Sequence, residues 1–339
     1  MNARVVEFMD KIVAGCTVNE TSAQVYSCKN KEDNELREWV RKDGPTDLYD
    51  TLSELALDKD AKKSGAAIGM ADSLFSTRDD AWKEKNATKG ATARFLEVVK
   101  ANDGLRAGKA ATIASHFSMI RGKEKRLFKV IEDHKDDKVR AQAYQAYMTF
   151  GRLNGFKELE RVTKKSKKKE YITAALKAPR NMYKDTDKEK DAYCPWAKGF
   201  LGDKDLDIAS AAGLVLVKCK GKYIDTLIDE GEKRVKAGEF KRPLSQVYRE
   251  PCFEFIKDVT KKAARDKQCD RLYTFLQAVA DNEKVESGVR GQSLWNIYYQ
   301  RRDQKTLDLM RKYENHKDPE VQKNAKDAIK SLTTSYKLK

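Results

Sequence analysis

The chain has 339 residues, of which 40% are hydrophobic, 36% charged and 9% aromatic, a folded composition rather than a disordered one. Its longest apolar stretches, such as "AAGLVLV" at 211–217, fall far short of the roughly 20 residues that span a bilayer, so no transmembrane segment is expected. The formal charge of +16 would suit nucleic acid, anionic lipid or an acidic protein, but most of the bases are Lys scattered among acids, and a solvated face is the preferred reading.

In chain order, "ARVVEFMDKIVAG" is amphipathic with acids inside it, which does not describe a signal peptide, and Gly15 is placed to end the helix. Cys16 and Cys28 are spaced to tie the turn that follows, and "ELREWV" begins the next helix. Residues 1–45 therefore read as a helical cap. No Gly/Ser-rich or Pro-rich linker interrupts the remainder, so residues 46–339 read as one continuous domain. Beyond the cap, apolar residues recur at helical spacing, as in Leu48, Leu52 and Leu55 or Leu127, Val130 and Ile131, without sustained strand-like alternation. The fold class is all-α.

The stretch "IEDHKDDKVRAQA" at 131–143 returns as "YENHKDPEVQKNA" at 313–325, with His134 and His316 in equivalent places. The shared pattern is a polar cap, an anchor three residues on and a small residue four further. It recurs as Asp60, Lys63 and Ala67; Asp103, Arg106 and Ala110; Asp136, Val139 and Ala143; Lys168, Tyr171 and Ala175; Asp205, Ile208 and Ala212; Leu244, Val247 and Pro251; Asn282, Val285 and Val289; and Asp318, Val321 and Ala325. Successive anchors are separated by 43, 33, 32, 37, 39, 38 and 36 residues, a helix-pair period. The chemistry of the pattern is structural. An Asp or Asn before a helix accepts hydrogen bonds from its first N–H groups, proline is welcome where Pro319 stands, and a small residue lets the next helix approach. "FLEVV" at 95–99, "WAKGFL" at 196–201, "YIDTLI" at 223–228 and "LYTFLQAV" at 272–279 supply the partner helices.

On these features, and above all on "DDKVRAQA" at 136–143 with Arg140 after Val139, the chain resembles the HEAT-repeat family of α-solenoids, whose second helices commonly begin with a D-x-x-V-R type signature. The other copies as aligned lack that arginine. The resemblance covers about residues 46–334. It implies a right-handed α-α superhelix of about eight helix pairs behind the N-terminal cap.

The six cysteines, Cys16, Cys28, Cys194, Cys219, Cys252 and Cys269, contain no C-x-x-C pair and no zinc-like grouping with histidine. Of the 15 connectivities six cysteines permit, the local one is preferred: 16 with 28, 194 with 219, 252 with 269. "CPWAKGFL" is taken to start one helix and "AAGLVLVKC" to end the next, which brings Cys194 to Cys219 in an antiparallel hairpin. Disulfides imply an extracytoplasmic location, periplasmic or secreted, with Met1 then opening a mature chain; buried thiols in a cytoplasmic protein are the alternative. The triplets Asn19-Glu20-Thr21 and Asn86-Ala87-Thr88 match a glycosylation pattern that matters only in a eukaryotic secretory pathway.

No P-loop, G-x-G-x-x-G, G-x-S-x-G or H-E-x-x-H motif occurs, and no cofactor or metal site is expected. His134 and His316 are 182 residues apart, too many repeats for a shared metal, and each is read as part of a solvated capping turn; His116 is placed on a helix face or end. Trp196 and Trp295 are read as core. The run "KKSKKK" at 164–169 is read as a solvated loop, with docking of an acidic partner or a phosphate backbone as its functional alternative.

The expected function is a non-enzymatic protein-binding scaffold whose partner is a protein, an acidic one being one option. The alternative is a nucleic-acid-binding protein related to the DNA-alkylation-repair glycosylases, which are HEAT-like and basic. Its candidate surface is Lys63, Arg106, Lys109, Arg140, Arg290, Lys323 and Lys326, although these do not recur at one repeat offset as a phosphate ladder would.

Overall fold

A computed structural model describes residues 1–15, 31–74, 82, 86, 88–101, 104–120, 134–166, 168–181, 185–219, 221–252 and 262–339. The described residues are helical with no strand, and they group into two compact units, Met1–Tyr183 and Lys184–Lys339.

The first unit contains α1 (Ala3–Ala14), α2 (Lys31–Asp43), α3 (Leu48–Ala56), α4 (Ala61–Leu74), α5 (Lys89–Ala101), α6 (Gly104–Ile120), α7 (Asp137–Lys165) and α8 (Lys169–Asn181). Asn2 starts α1 by accepting the N–H groups of Arg4 and Val5, and α1 packs on α2, α3 and α4. Helices α3 and α4 form a hairpin, as do α5 and α6; α3 also packs on α5 and α4 on α6, so each helix of one hairpin meets its counterpart in the next. Tyr49, Phe95 and Phe117 fill the space between them without exposure, with the Tyr49 and Phe117 rings edge to face at 4.8 Å. Burying each such side chain contributes about 1.5–3 kcal/mol.

The alternation then changes. Where a hairpin is expected between residues 136 and 168, α7 runs unbroken for 29 residues, because no proline interrupts the stretch. It packs on α6 and α8. Its last turn takes in Lys164 and Lys165, so the "KKSKKK" run is partly helix C-terminus, where cations complement the dipole.

The second unit contains α9 (Asp187–Lys198), α10 (Leu206–Val217), α11 (Ile224–Lys236), α12 (Arg242–Ser245) running into a 3₁₀ turn (Gln246–Arg249), α13 (Lys262–Asp281), α14 (Ser287–Gln300), α15 (Gln304–Lys312) and α16 (Pro319–Thr334). Helices α9 and α10, α13 and α14, and α15 and α16 are paired; α10 also packs on α12, α12 on α14, α14 on α16, and α11 on α13. Close approach at these contacts depends on glycine. A Cβ on Gly291 of α14 would stand 2.7 Å from the Glu320 carbonyl oxygen of α16, and one on Gly231 of α11 would stand 2.6 Å from the Phe275 ring of α13. Phe240, Tyr248 and Phe275 form the aromatic centre, their centroids 5.2 to 5.6 Å apart.

The capping pattern locates most second helices. Helices α4, α7, α8, α10 and α16 each begin one residue after the cap, and Ala67, Ala110, Ala175, Ala212 and Ala325 are fully buried. Asp205 accepts from the N–H groups of Asp207 and Ile208, and Asp318 from those of Glu320 and Val321. Two expectations are corrected, and one of the glycosylation-type triplets is located. Helix α14 starts after Glu286, not Asn282, so its cap, anchor and small residue are Glu286, Val289 and Ser293. In that register Arg290 follows the anchor as Arg140 does, and a second copy carries the arginine. Helix α9 starts at Asp187 rather than Cys194, because Thr186 and Glu189 form a capping box whose signal outweighs the Cys-Pro step. Asn86 is fully buried and donates its Nδ2 to the Trp82 carbonyl, so the folded chain cannot be glycosylated there; Asn19 lies outside the described residues.

The cysteine pairing holds for the two described pairs. The Cys194 and Cys219 Sγ atoms are 1.98 Å apart, and those of Cys252 and Cys269 are 2.14 Å apart. The first pair forms although Cys194 lies inside α9 and not at its start; the Asp185 carboxylate before α9 also meets Lys218 after α10, at 3.3 Å. Cys16 and Cys28 lie outside the described residues. Among the described residues no helix is long and apolar enough to cross a membrane.

Candidate functional site

The two histidines occupy one local structure in two settings. In each, Nδ1 accepts the N–H of the residue two positions on, Asp136 or Asp318, at 3.0 Å. That acceptor role leaves the hydrogen on Nε2. His134 is buried rather than solvated, and its Nε2 donates to the Val99 carbonyl near the end of α5 at 2.9 Å. His116 is buried within α6. Among the described residues no group of three or more His, Cys, Asp or Glu side chains is placed to hold a metal ion.

Five of the seven basic residues singled out in the sequence have partners within their own unit. Lys63 meets Asp10 at 2.8 Å, and Lys109 meets Asp72 at 2.5 Å. Arg106 donates to the Ala61 carbonyl, and the Arg140 guanidinium lies 5.1 Å from the Tyr171 ring centroid. Arg290 is buried: its Nε donates to the Ala280 carbonyl at 2.8 Å and its Nη1 to Asp318 at 2.9 Å. Lys323 and Lys326 are exposed on α16. The first five tie helix to helix within their units.

A different cationic cluster stands out in the second unit. Arg249, exposed at the end of the 3₁₀ turn, lies over the Tyr299 ring at 4.5 Å. Arg302, exposed just past α14, lies over the same ring at 5.5 Å, over Tyr298 at 5.8 Å and over Tyr336 at 5.2 Å, and it donates to the Tyr336 hydroxyl. Among the described residues, Tyr336 is one of the few large exposed apolar side chains. Trp295, expected in the core, is only half-buried and packs on Tyr298 at 4.7 Å. Trp196 is likewise half-buried, against Phe200.

This surface is fixed from beneath by buried amides of α14. Asn296 donates to the Ser245 carbonyl at 2.9 Å, and Gln300 donates to the Tyr248 carbonyl and accepts from the Cys252 N–H, both at 2.8 Å. These bonds hold the backbone on both sides of Arg249. The Tyr298 hydroxyl, 2.6 Å from Ser331 Oγ, ties the same helix end to α16. A satisfied buried network of this kind rigidifies what it carries. The neighbouring Arg301 turns the other way: it lies over Tyr273 at 4.5 Å and meets Asp270 and Asp303. Burial pushes the Tyr273 phenol up to about 12 against the opposing pull of that cation.

The sequence reading missed this cluster. Its members come from three segments, 249, 298–302 and 336, and no periodicity links them; the usable signal was "YYQRR" at 298–302, aromatic residues directly beside arginines. A smaller counterpart lies in the first unit, where exposed Arg4 sits 4.2 Å from the Trp39 centroid and Phe8 stacks on the same indole. A cleft of about 280 Å³ beside the Cys194–Cys219 bridge is lined by Tyr223, Lys190, Lys222 and Asp191, among others, mixed charges without a convergent set of groups. Compared with known proteins, the chain matches no family model and no curated sequence.

Proposed function

We propose that the protein is a non-enzymatic scaffold of HEAT-like helix pairs, stacked as a right-handed solenoid, that binds another protein. The observation that carries this reading is the arginine–tyrosine surface made by Arg249, Tyr298, Tyr299, Arg302 and Tyr336. Arginine, tyrosine and tryptophan are the residues that dominate protein–protein hot spots, and rigid support lowers the ordering cost of binding. The solenoid part draws support from the pairing of α3 to α6 and of α13 to α16, in which each second helix packs on the second helix of the next pair. Export draws support from the two cysteine pairs at bonding distance.

Nucleic-acid binding is less well supported, because Lys63, Arg106, Lys109, Arg140 and Arg290 are engaged inside the units. The test of the scaffold is capture from the protein's native compartment with the intact chain as bait. Reproducible recovery of a protein is expected, and recovery of none contradicts the reading. Mass spectrometry of the unreduced native protein tests export, with six free thiols as the contradicting result.

A further inference from the structure

We infer that Arg249 and Arg302 form a docking pair for carboxylates, and that the partner presents an acidic peptide segment to it. The inference rests on the scaffold reading and gives the chemistry of its partner.

The surrounding pattern makes these two arginines unusual. Arg37, Arg94, Arg234, Arg271, Arg290 and Arg301 each reach a carboxylate within their own unit. Among the described residues no carboxylate meets Arg249 or Arg302, although the chain has 53 Asp and Glu. Both cations are exposed, and both stack on one ring, at 4.5 and 5.5 Å from the Tyr299 centroid. Two like charges are thereby held on one patch of surface. Contact with the tyrosine ring offsets part of that repulsion, by about 0.5–1 kcal/mol for each exposed pair. Apart from the Arg302 Nη1 donor that goes to the Tyr336 hydroxyl, the N–H groups remain as the recognition surface. A planar fork of N–H donors matches a carboxylate with two parallel hydrogen bonds, which lysine cannot do.

The same geometry favours an acidic peptide over a nucleic-acid strand. Single strands bind by laying bases on open aromatic faces. Here Tyr299 carries the guanidinium groups, Tyr298 is buried, and Tyr336, at 40% exposure, itself lies under Arg302. The pair is also preorganised. Gln300 and Asn296 fix the backbone that carries Arg249, and Tyr298 is tied to Ser331, so little ordering is left for the partner to impose.

The test is fluorescence anisotropy of a labelled Glu-Ala repeat peptide titrated with the full oxidised chain. Wild type is compared with Arg249→Gln/Arg302→Gln and with a charge-matched control, Lys305→Gln/Lys330→Gln, at two exposed lysines of the same unit. The docking pair predicts weakening of about tenfold or more in the arginine variant, as loss of charge-assisted hydrogen bonds gives, and less than about threefold in the control. Arg302→Lys, which keeps the charge and the stem, is expected to weaken binding measurably as well. Equal losses in the two double variants, absence of peptide binding by wild type, or arginine-dependent binding seen only with oligo(dT) would each overturn the inference. If the wild-type chain captures a native protein partner and the arginine variant captures it equally well, the docking pair fails and the scaffold reading stands.

Discussion

The turns at His134 and His316 share a sequence and a local hydrogen bond, yet the helix end beside each, α5 or α13 of the preceding pair, is satisfied in a different way. In the first unit the histidine does the work itself, passing its Nε2 hydrogen to the Val99 carbonyl. In the second, Arg290 reaches the corresponding carbonyl, Ala280, and also grips Asp318, while His316 Nε2 lies 3.5 Å from the same guanidinium. An orphan carbonyl at a helix end has to be satisfied, and one repeat unit uses an imidazole where another uses a buried arginine. The repeated element is therefore the acceptor-and-cap turn, and the donor beneath it is exchangeable. Charge follows from that exchange. Burial alone would raise the Asp318 carboxyl, but hydrogen bonds from Ser287 and from the Val321 and Glu320 N–H groups, with the Arg290 cation, hold it below the ordinary carboxylate value.

The sharpest way to break the comparison is Arg290→Met, which removes the cation facing the Asp318 carboxylate and the side-chain donor to the Ala280 carbonyl. A cost of about 3–5 kcal/mol is expected in urea unfolding followed by α16 amide exchange, with the first unit's amides unaffected. His134→Ala comes next, at about 1–3 kcal/mol, because it strands a carbonyl in the first unit; His316→Ala should cost less, about 0.5–1 kcal/mol, since Arg290 keeps Ala280 satisfied. Equal costs for the two histidines would refute the exchange of donors. Gly291→Ala pushes a methyl group toward the Glu320 carbonyl and is expected to cost about 1–3 kcal/mol; a neutral result would mean that α14 and α16 are not packed this closely. The smallest effect is on pH. A carboxyl held below its unfolded value of about 3.9 stabilises the fold above that pH and loses the contribution as pH falls through the lower native value. Acid should therefore loosen α16 amides in the wild type more than in Asp318→Asn, where nothing titrates.

Sequence was a good guide where the local signal was also the physical cause. Asp205 and Asp318 cap helices because their own side chains accept the first N–H groups, and that chemistry needs no distant partner. The all-helical fold class was legible from local periodicity, and the 194–219 and 252–269 pairings from closeness in sequence. The reading slipped where two local signals competed. Asn282 looks like a better cap than Glu286, yet Asn282 accepts the Lys284 N–H in a turn and the helix starts after Glu286. Cys194-Pro195 looked like a helix start until the Thr186 capping box preceded it. The candidate site was hardest to see. Whether an arginine is a surface cation or a tie between helices depends on what meets it, and Arg290, chosen as surface, is buried, while Arg249 and Arg302, not chosen, are exposed.

The most direct test of the central claim is capture of a partner from the native compartment by the oxidised wild-type chain, run beside the Arg249→Gln/Arg302→Gln and Lys305→Gln/Lys330→Gln variants. The scaffold account predicts a protein recovered reproducibly by wild type and by the lysine variant, and the docking pair predicts its depletion from the arginine variant. Recovery of no protein by the wild-type chain would contradict it.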